Sequence, residues 1–84
     1  MNAPHPTALI ADDEPLLREG LARMLVEAWP ELRIVAQARN GREAVAHYRK
    51  LRPQVCFLDV HMPGLSGIDA AREIGRDPHL VFVT

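Results

Sequence analysis

Ala8-Leu9-Ile10-Ala11-Asp12-Asp13 decides the fold, together with Val55-Cys56-Phe57-Leu58-Asp59 further along the chain. Each is a short apolar run that closes on acid. Runs of this length, apolar at every position, read as strands covered on both faces. In an open α/β sheet, ligands bind beyond the carboxyl ends of the strands. Asp12, Asp13 and Asp59 all stand at that end.

The segments between and around these runs supply the remaining elements. A helix is predicted from Glu14 to Ala28, with Leu17, Leu21, Met24, Leu25 and Ala28 on one face. Asp13 can cap it, and Pro15 is tolerated in a first turn whose N–H groups lack partners anyway. Trp29-Pro30 ends the helix. Leu32 to Ala38 reads as an edge strand, in which Ile34, Ala36 and Ala38 alternate with Arg33, Val35 and Gln37. Asn40 opens a second helix, with Glu43 completing a capping box. This helix runs to Leu51 and is expected to bury Ala44, Val45, Tyr48 and Leu51. After strand three, Met62-Pro63-Gly64 and Gly67 form a loop. A third helix from Ser66 to Gly75 buries Ile68, Ala71 and Ile74. Asp77-Pro78 stops it, and Leu80 to Thr84 is the fourth strand. Met1 to Pro6, with two prolines and no pattern, reads as a loose terminus.

The order β-α-β-α-β-α-β predicts an α/β fold with an open parallel sheet. Right-handed crossovers restrict its layout. If the chain reverses direction after strand two, the strand order is 2-1-3-4, with helix one on one face and helices two and three on the other. The switch point then lies between strands one and three, and Asp12, Asp13 and Asp59 meet there.

Bulk properties narrow the function classes. Eighty-four residues make one small domain, and 48% apolar with 25% charged residues is globular composition. A net charge of −1 without a basic stripe argues against direct nucleic-acid binding. The single cysteine, Cys56, leaves no internal disulfide and suits a reducing compartment. With no membrane-length apolar run and no signal-peptide core, the expectation is a soluble cytoplasmic chain.

Three adjacent carboxylates with ordinary pKa values near ~3.9 repel one another at neutral pH. A divalent cation relieves that conflict, and a small set of hard oxygen ligands favours Mg²⁺. A carboxylate beside Mg²⁺ can also attack phosphorus and form an acyl phosphate. Thr84, closing strand four, could offer its hydroxyl to a phosphoryl oxygen. Helix capping explains Asp13 taken alone equally well, whereas the three acids together on neighbouring strands are harder to dismiss as caps. His5, His47, His61 and His79 lack metal-ligand spacing, and Cys56 reads as an inert core thiol.

Ala11-Asp12-Asp13-Glu14-Pro15, Phe57-Leu58-Asp59-Val60-His61-Met62-Pro63-Gly64, Gly64-Leu65-Ser66-Gly67 and Val81-Phe82-Val83-Thr84 resemble the receiver domain of two-component response regulators. The resemblance implies the flavodoxin-like receiver topology. It implies that Asp59 is the phosphoacceptor for a sensor histidine kinase. It also implies that Asp12, Asp13, Asp59 and the backbone carbonyl of His61 hold Mg²⁺, Asp13 more directly than Asp12. Thr84 would be the switch hydroxyl. The separation of Asp59 from Thr84 and the run from His61 to Arg72 are similar to regulators with a LytTR-type DNA-binding output. Over residues 1–84 the resemblance stops before the fourth helix, fifth strand and fifth helix. The lysine of strand five has no counterpart, because Lys50, the single lysine, falls near the end of helix two.

The expected function is therefore a phosphorylation-dependent signalling switch in transcription regulation, not an enzyme, impaired as it stands by the missing lysine. A phosphorylation-independent interaction module is the first alternative. An aspartate-nucleophile phosphohydrolase is the second, although its D-x-D pattern after strand one is lacking. Leu80 to Val83 is apolar on both faces and would form an open edge, which predicts self-association through strand four or the thinly covered sheet face.

Overall fold

A computed structural model describes residues 5–83, so Thr84 and residues 1–4 of the expected loose terminus lie outside the described residues. Four parallel strands, β1 (Thr7–Ala11), β2 (Arg33–Ala38), β3 (Val55–Asp59) and β4 (His79–Val83), form one sheet in the order β2-β1-β3-β4. The helices are α1 (Pro15–Ala28), α2 (Gly41–Leu51) and α3 (Gly67–Ile74). The strand order is the 2-1-3-4 expected from a reversal after strand two. Side chains of α2 and α3 join one face of the sheet, and α1 lies on the other.

The two apolar runs occupy the middle of the sheet. Leu9, Ala11, Cys56 and Leu58 point towards α2 and α3, where they meet Ala44, Val45, Tyr48, Ala70, Ala71 and Ile74. Ala8, Ile10, Val55 and Phe57 point the other way, towards Leu21, Ala22 and Leu25 of α1. Alternate residues of a strand face opposite layers, so both runs had to be apolar throughout.

Several local expectations are corrected. The helix α1 buries no residue fully, and Leu17 and Met24 of its apolar face are 64% and 63% exposed. Only its middle rests on the sheet. Leu51 and Ile68 are exposed as well, while Ala70 is fully buried. The N-cap of α1 is Glu14, which makes no side-chain cap. The cap role expected of Asp13 passes in part to Asp12, whose carboxylate accepts a hydrogen bond from the Glu14 N–H at 2.9 Å.

The alternation expected in β2 also breaks. Ala8 pairs with Ile34, but Leu9 pairs with Ala36, so Val35 is an extra residue in the β2 ladder. A bulge of this kind resets which face later residues occupy. Ile34 therefore packs on the α1 side, and Ala36 and Ala38 on the α2/α3 side.

Among the described residues β4 pairs only with β3. Phe82 is 43% exposed, and with Leu80 it lines an open groove of about 510 Å³ against Ile68 and Ala71 of α3.

Candidate phosphoacceptor and metal site

The site forms where β1 and β3 end side by side. Ala11 is in register with Leu58, so Asp12 and Asp59, the next residues along, stand side by side. Asp12, Asp13 and Asp59 each bring a carboxylate oxygen into one group whose members lie within 4.8 Å of one another.

Each acid is held differently. Asp12 is 6% exposed. Its N–H donates to the Ala38 carbonyl of β2 at 3.1 Å, and its Oδ1 accepts from the Glu14 N–H. Asp13 is exposed, and no side-chain hydrogen bond holds it among the described residues. Asp59 is half-buried, and its Oδ1 accepts from the His61 N–H at 3.0 Å.

The Asp59 pKa is raised above its ordinary value, first by burial and then by the charges of Asp12 and Asp13. The His61 N–H opposes that rise. A carboxylate pushed up by two neighbouring carboxylates is the electrostatic conflict that a bound cation would remove. Oxygen-only donors at this separation suit a small, hard divalent ion that keeps some of its water.

The loop after Asp59 is fixed by close backbone approach. A Cβ placed on Gly67 would overlap the Asp59 carbonyl oxygen, and one on Gly41 would overlap the Leu65 carbonyl oxygen. Glycine at both positions lets the N-termini of α2 and α3 close directly on the segment behind the acid. The Gly67 N–H donates to the Val60 carbonyl at 3.2 Å. The Val60 N–H donates to the Val83 carbonyl at 3.1 Å, extending the β3–β4 ladder one step past Asp59.

Of the residues expected at the site, Asp12, Asp13 and Asp59 come together. His61 follows Asp59 with its N–H turned to the acid and its side chain exposed. Thr84 lies outside the described residues. Lys50 sits in the last turn of α2. The chain leaving that turn bonds through Gln54 to Thr7, at the start of β1 and away from the acids. Burial raises the Cys56 thiol to about 11, which keeps it protonated and inert.

One residue escaped the sequence reading. Arg18, in the first turn of α1, donates from Nη1 to the Asp12 main-chain carbonyl at 2.8 Å. The available signal was a cation at a helix N-terminus, where the helix dipole disfavours positive charge unless an acceptor is near.

Residues 8–84 match the family described as response regulator receiver domain. An uncharacterized response regulatory protein of Vibrio cholerae is 47% identical over 81 residues, covering 93% of this chain and 31% of the relative. The transcriptional regulatory protein BtsR of Salmonella typhi is 42% identical over 78 residues, covering 90% of this chain and 32% of the relative. The chain thus spans about a third of the length of these curated relatives. Among solved structures, the signal receiver domain of the putative response regulator NarL from Mycobacterium tuberculosis superposes with a TM-score of 0.84 at 28% identity. That match covers 95% of this chain and 66% of the solved domain.

Proposed function

Because the chain belongs to the response regulator receiver domain family, we propose that it accepts a phosphoryl group on Asp59 from a sensor histidine kinase and acts as a signalling switch. An Asp59 carboxylate oxygen attacks the phosphorus of a phosphohistidine. The P–N bond breaks, the imidazole leaves and takes up a proton, and Asp59 becomes an acyl phosphate. Mg²⁺ bound by Asp13, Asp12, Asp59 and the His61 carbonyl would neutralise charge on the phosphoryl oxygens. Asp13, exposed and unbonded, has its carboxylate open to the cation. Asp12 supplies the oxygen that Glu14 leaves free. Thr84 is the proposed switch hydroxyl. The convergence of three carboxylates within 4.8 Å carries this reading.

The output is read through surfaces and not through turnover, so the chain is not an enzyme. The relative named as a transcriptional regulatory protein supports a role in transcription regulation. The run from His61 to Arg72 supports a LytTR-type output in the parent protein. No helix among the described residues is long and apolar enough to cross a membrane. A cytoplasmic location is proposed, with no direct contact between this segment and nucleic acid.

Residues 1–84 offer no lysine beside Asp59, and the segment taken by itself is proposed to be a poor acceptor. Incubation with acetyl phosphate and Mg²⁺, followed by intact mass, tests this. A minor single adduct is expected, lost without Mg²⁺ and in Asp59→Asn. Stoichiometric modification of Asp59 would overturn the impairment. No adduct despite Mg²⁺ binding would favour a phosphorylation-independent interaction module.

The exposed Val81 and Phe82 of β4, with Leu17 and Met24 on the α1 side, support self-association of the segment. Light scattering is expected to show more than a monomer at micromolar concentration, and a well-folded monomer would remove the proposal.

A further inference from the structure

Asp13 is the exposed acid of the cluster, and no side chain steadies it among the described residues. Its direction is therefore set by the peptide that joins it to Asp12. Three bonds converge on Asp12. β2 holds its N–H, the Glu14 N–H holds its carboxylate, and the Arg18 guanidinium holds its carbonyl. The third bond fixes the plane of the Asp12–Asp13 peptide.

Arg18 makes this bond from an unusual setting. It stands in the first turn of a helix without a side-chain cap, and its Nε is buried without a hydrogen-bond partner. A buried, unpartnered donor costs free energy, so the side chain is held in place by what its Nη1 does.

Resting on the metal-site reading above, we infer that Arg18 is a positioning residue. By gripping the Asp12 main-chain carbonyl, it orients the Asp12–Asp13 peptide and aims the Asp13 carboxylate at the cation. Groups behind metal ligands typically change affinity about 10- to 100-fold when removed. An indirect grip of this kind belongs at the lower end.

Mg²⁺ titration followed by ¹H–¹⁵N NMR tests the inference in wild type, Arg18→Gln, Arg18→Lys and Ala22→Gly. Ala22 lies on the same helix, half-buried on the sheet side. Wild type is expected to bind, with shifts at Asp13 and Asp59. Arg18→Gln is expected to weaken binding about tenfold and to shrink the shift at Asp13. Arg18→Lys, which can still donate one bond, is expected to recover part of the loss. Ala22→Gly is expected to lower the melting temperature without changing the dissociation constant, which separates positioning from plain destabilisation. Equal affinity in wild type and Arg18→Gln overturns the inference and leaves the site reading standing. A loss in Ala22→Gly matching that in Arg18→Gln overturns it too. Wild type that binds no Mg²⁺ overturns the site reading, and the inference with it.

Discussion

The two faces of the sheet are built to different standards. Among the described residues, twelve buried ones form one continuous cluster on the α2/α3 face, to which both helices contribute fully enclosed side chains. On the α1 face, five buried residues form the cluster, and none of them comes from the helix. Helix starts follow the same division. Asn40 caps α2 and Ser66 caps α3, each accepting the N–H three residues on, whereas Glu14 gives α1 no side-chain cap. The acids stand on the shared rim, with Asp59 backed by the close-packed side and Asp13 leading into the loose one. Close packing behind Asp59 and looser packing beside Asp13 thus come from one asymmetry between the faces.

Truncating matched side chains on the two faces would sharpen this contrast most. Leu9→Ala removes a fully buried residue from the α2/α3 cluster, and a loss of about 3–4 kcal/mol in urea unfolding is expected. Leu25→Ala, half-buried on α1, is expected to cost about 1 kcal/mol, in proportion to the smaller area it withdraws from water. Equal losses would break the comparison.

The helix caps give the next largest effect. Asn40→Ala and Ser66→Ala each remove a side-chain acceptor from a first turn and are expected to cost about 1 kcal/mol. Glu14→Ala is expected to leave the unfolding midpoint almost unchanged. A loss as large as at the other two caps would show that α1 is anchored in a way its packing does not reveal.

The smallest effect is electrostatic. The Asp59 pKa is raised in the folded chain. Its contribution to stability is therefore complete below the unfolded carboxyl value near ~3.9, and is lost as the pH rises through the higher folded value. At neutral pH the ionised acid is a net strain. Asp59→Asn is expected to raise the melting temperature slightly at pH 7 without divalent ions, and to show no gain at pH 3. Added Mg²⁺ should stabilise wild type more than the variant. A variant less stable than wild type at pH 7 would reverse the sign of the assignment.

How much of this could be read from the chain follows the same division. The two central strands and their terminal acids were legible because continuous apolar runs that close on acid are strong local signals, and the strand order followed from right-handed crossovers with a reversal after strand two. The cap at Asn40 lay where its side chain predicts. The depth of α1 was not legible. Helical periodicity reports which side of a helix faces inward, but not how far it sinks, so Leu17 and Met24 were expected in a core that they do not reach. Arg18 was hidden for another reason. Its partner is a main-chain carbonyl, which every residue carries and no sequence pattern marks.

The extra residue at Val35 bears on how this chain tolerates changes in length. Deleting Val35 would make Ile34 and Ala36 neighbours in a regular strand. Neighbours in a regular strand face opposite ways, and these two already do. Both layers would keep their side chains, and only a half-exposed valine would be lost. Elsewhere in the sheet, removing one residue would turn every later side chain to the wrong layer. The second strand is thus a place where a strand can change length by a single residue without a change of sides.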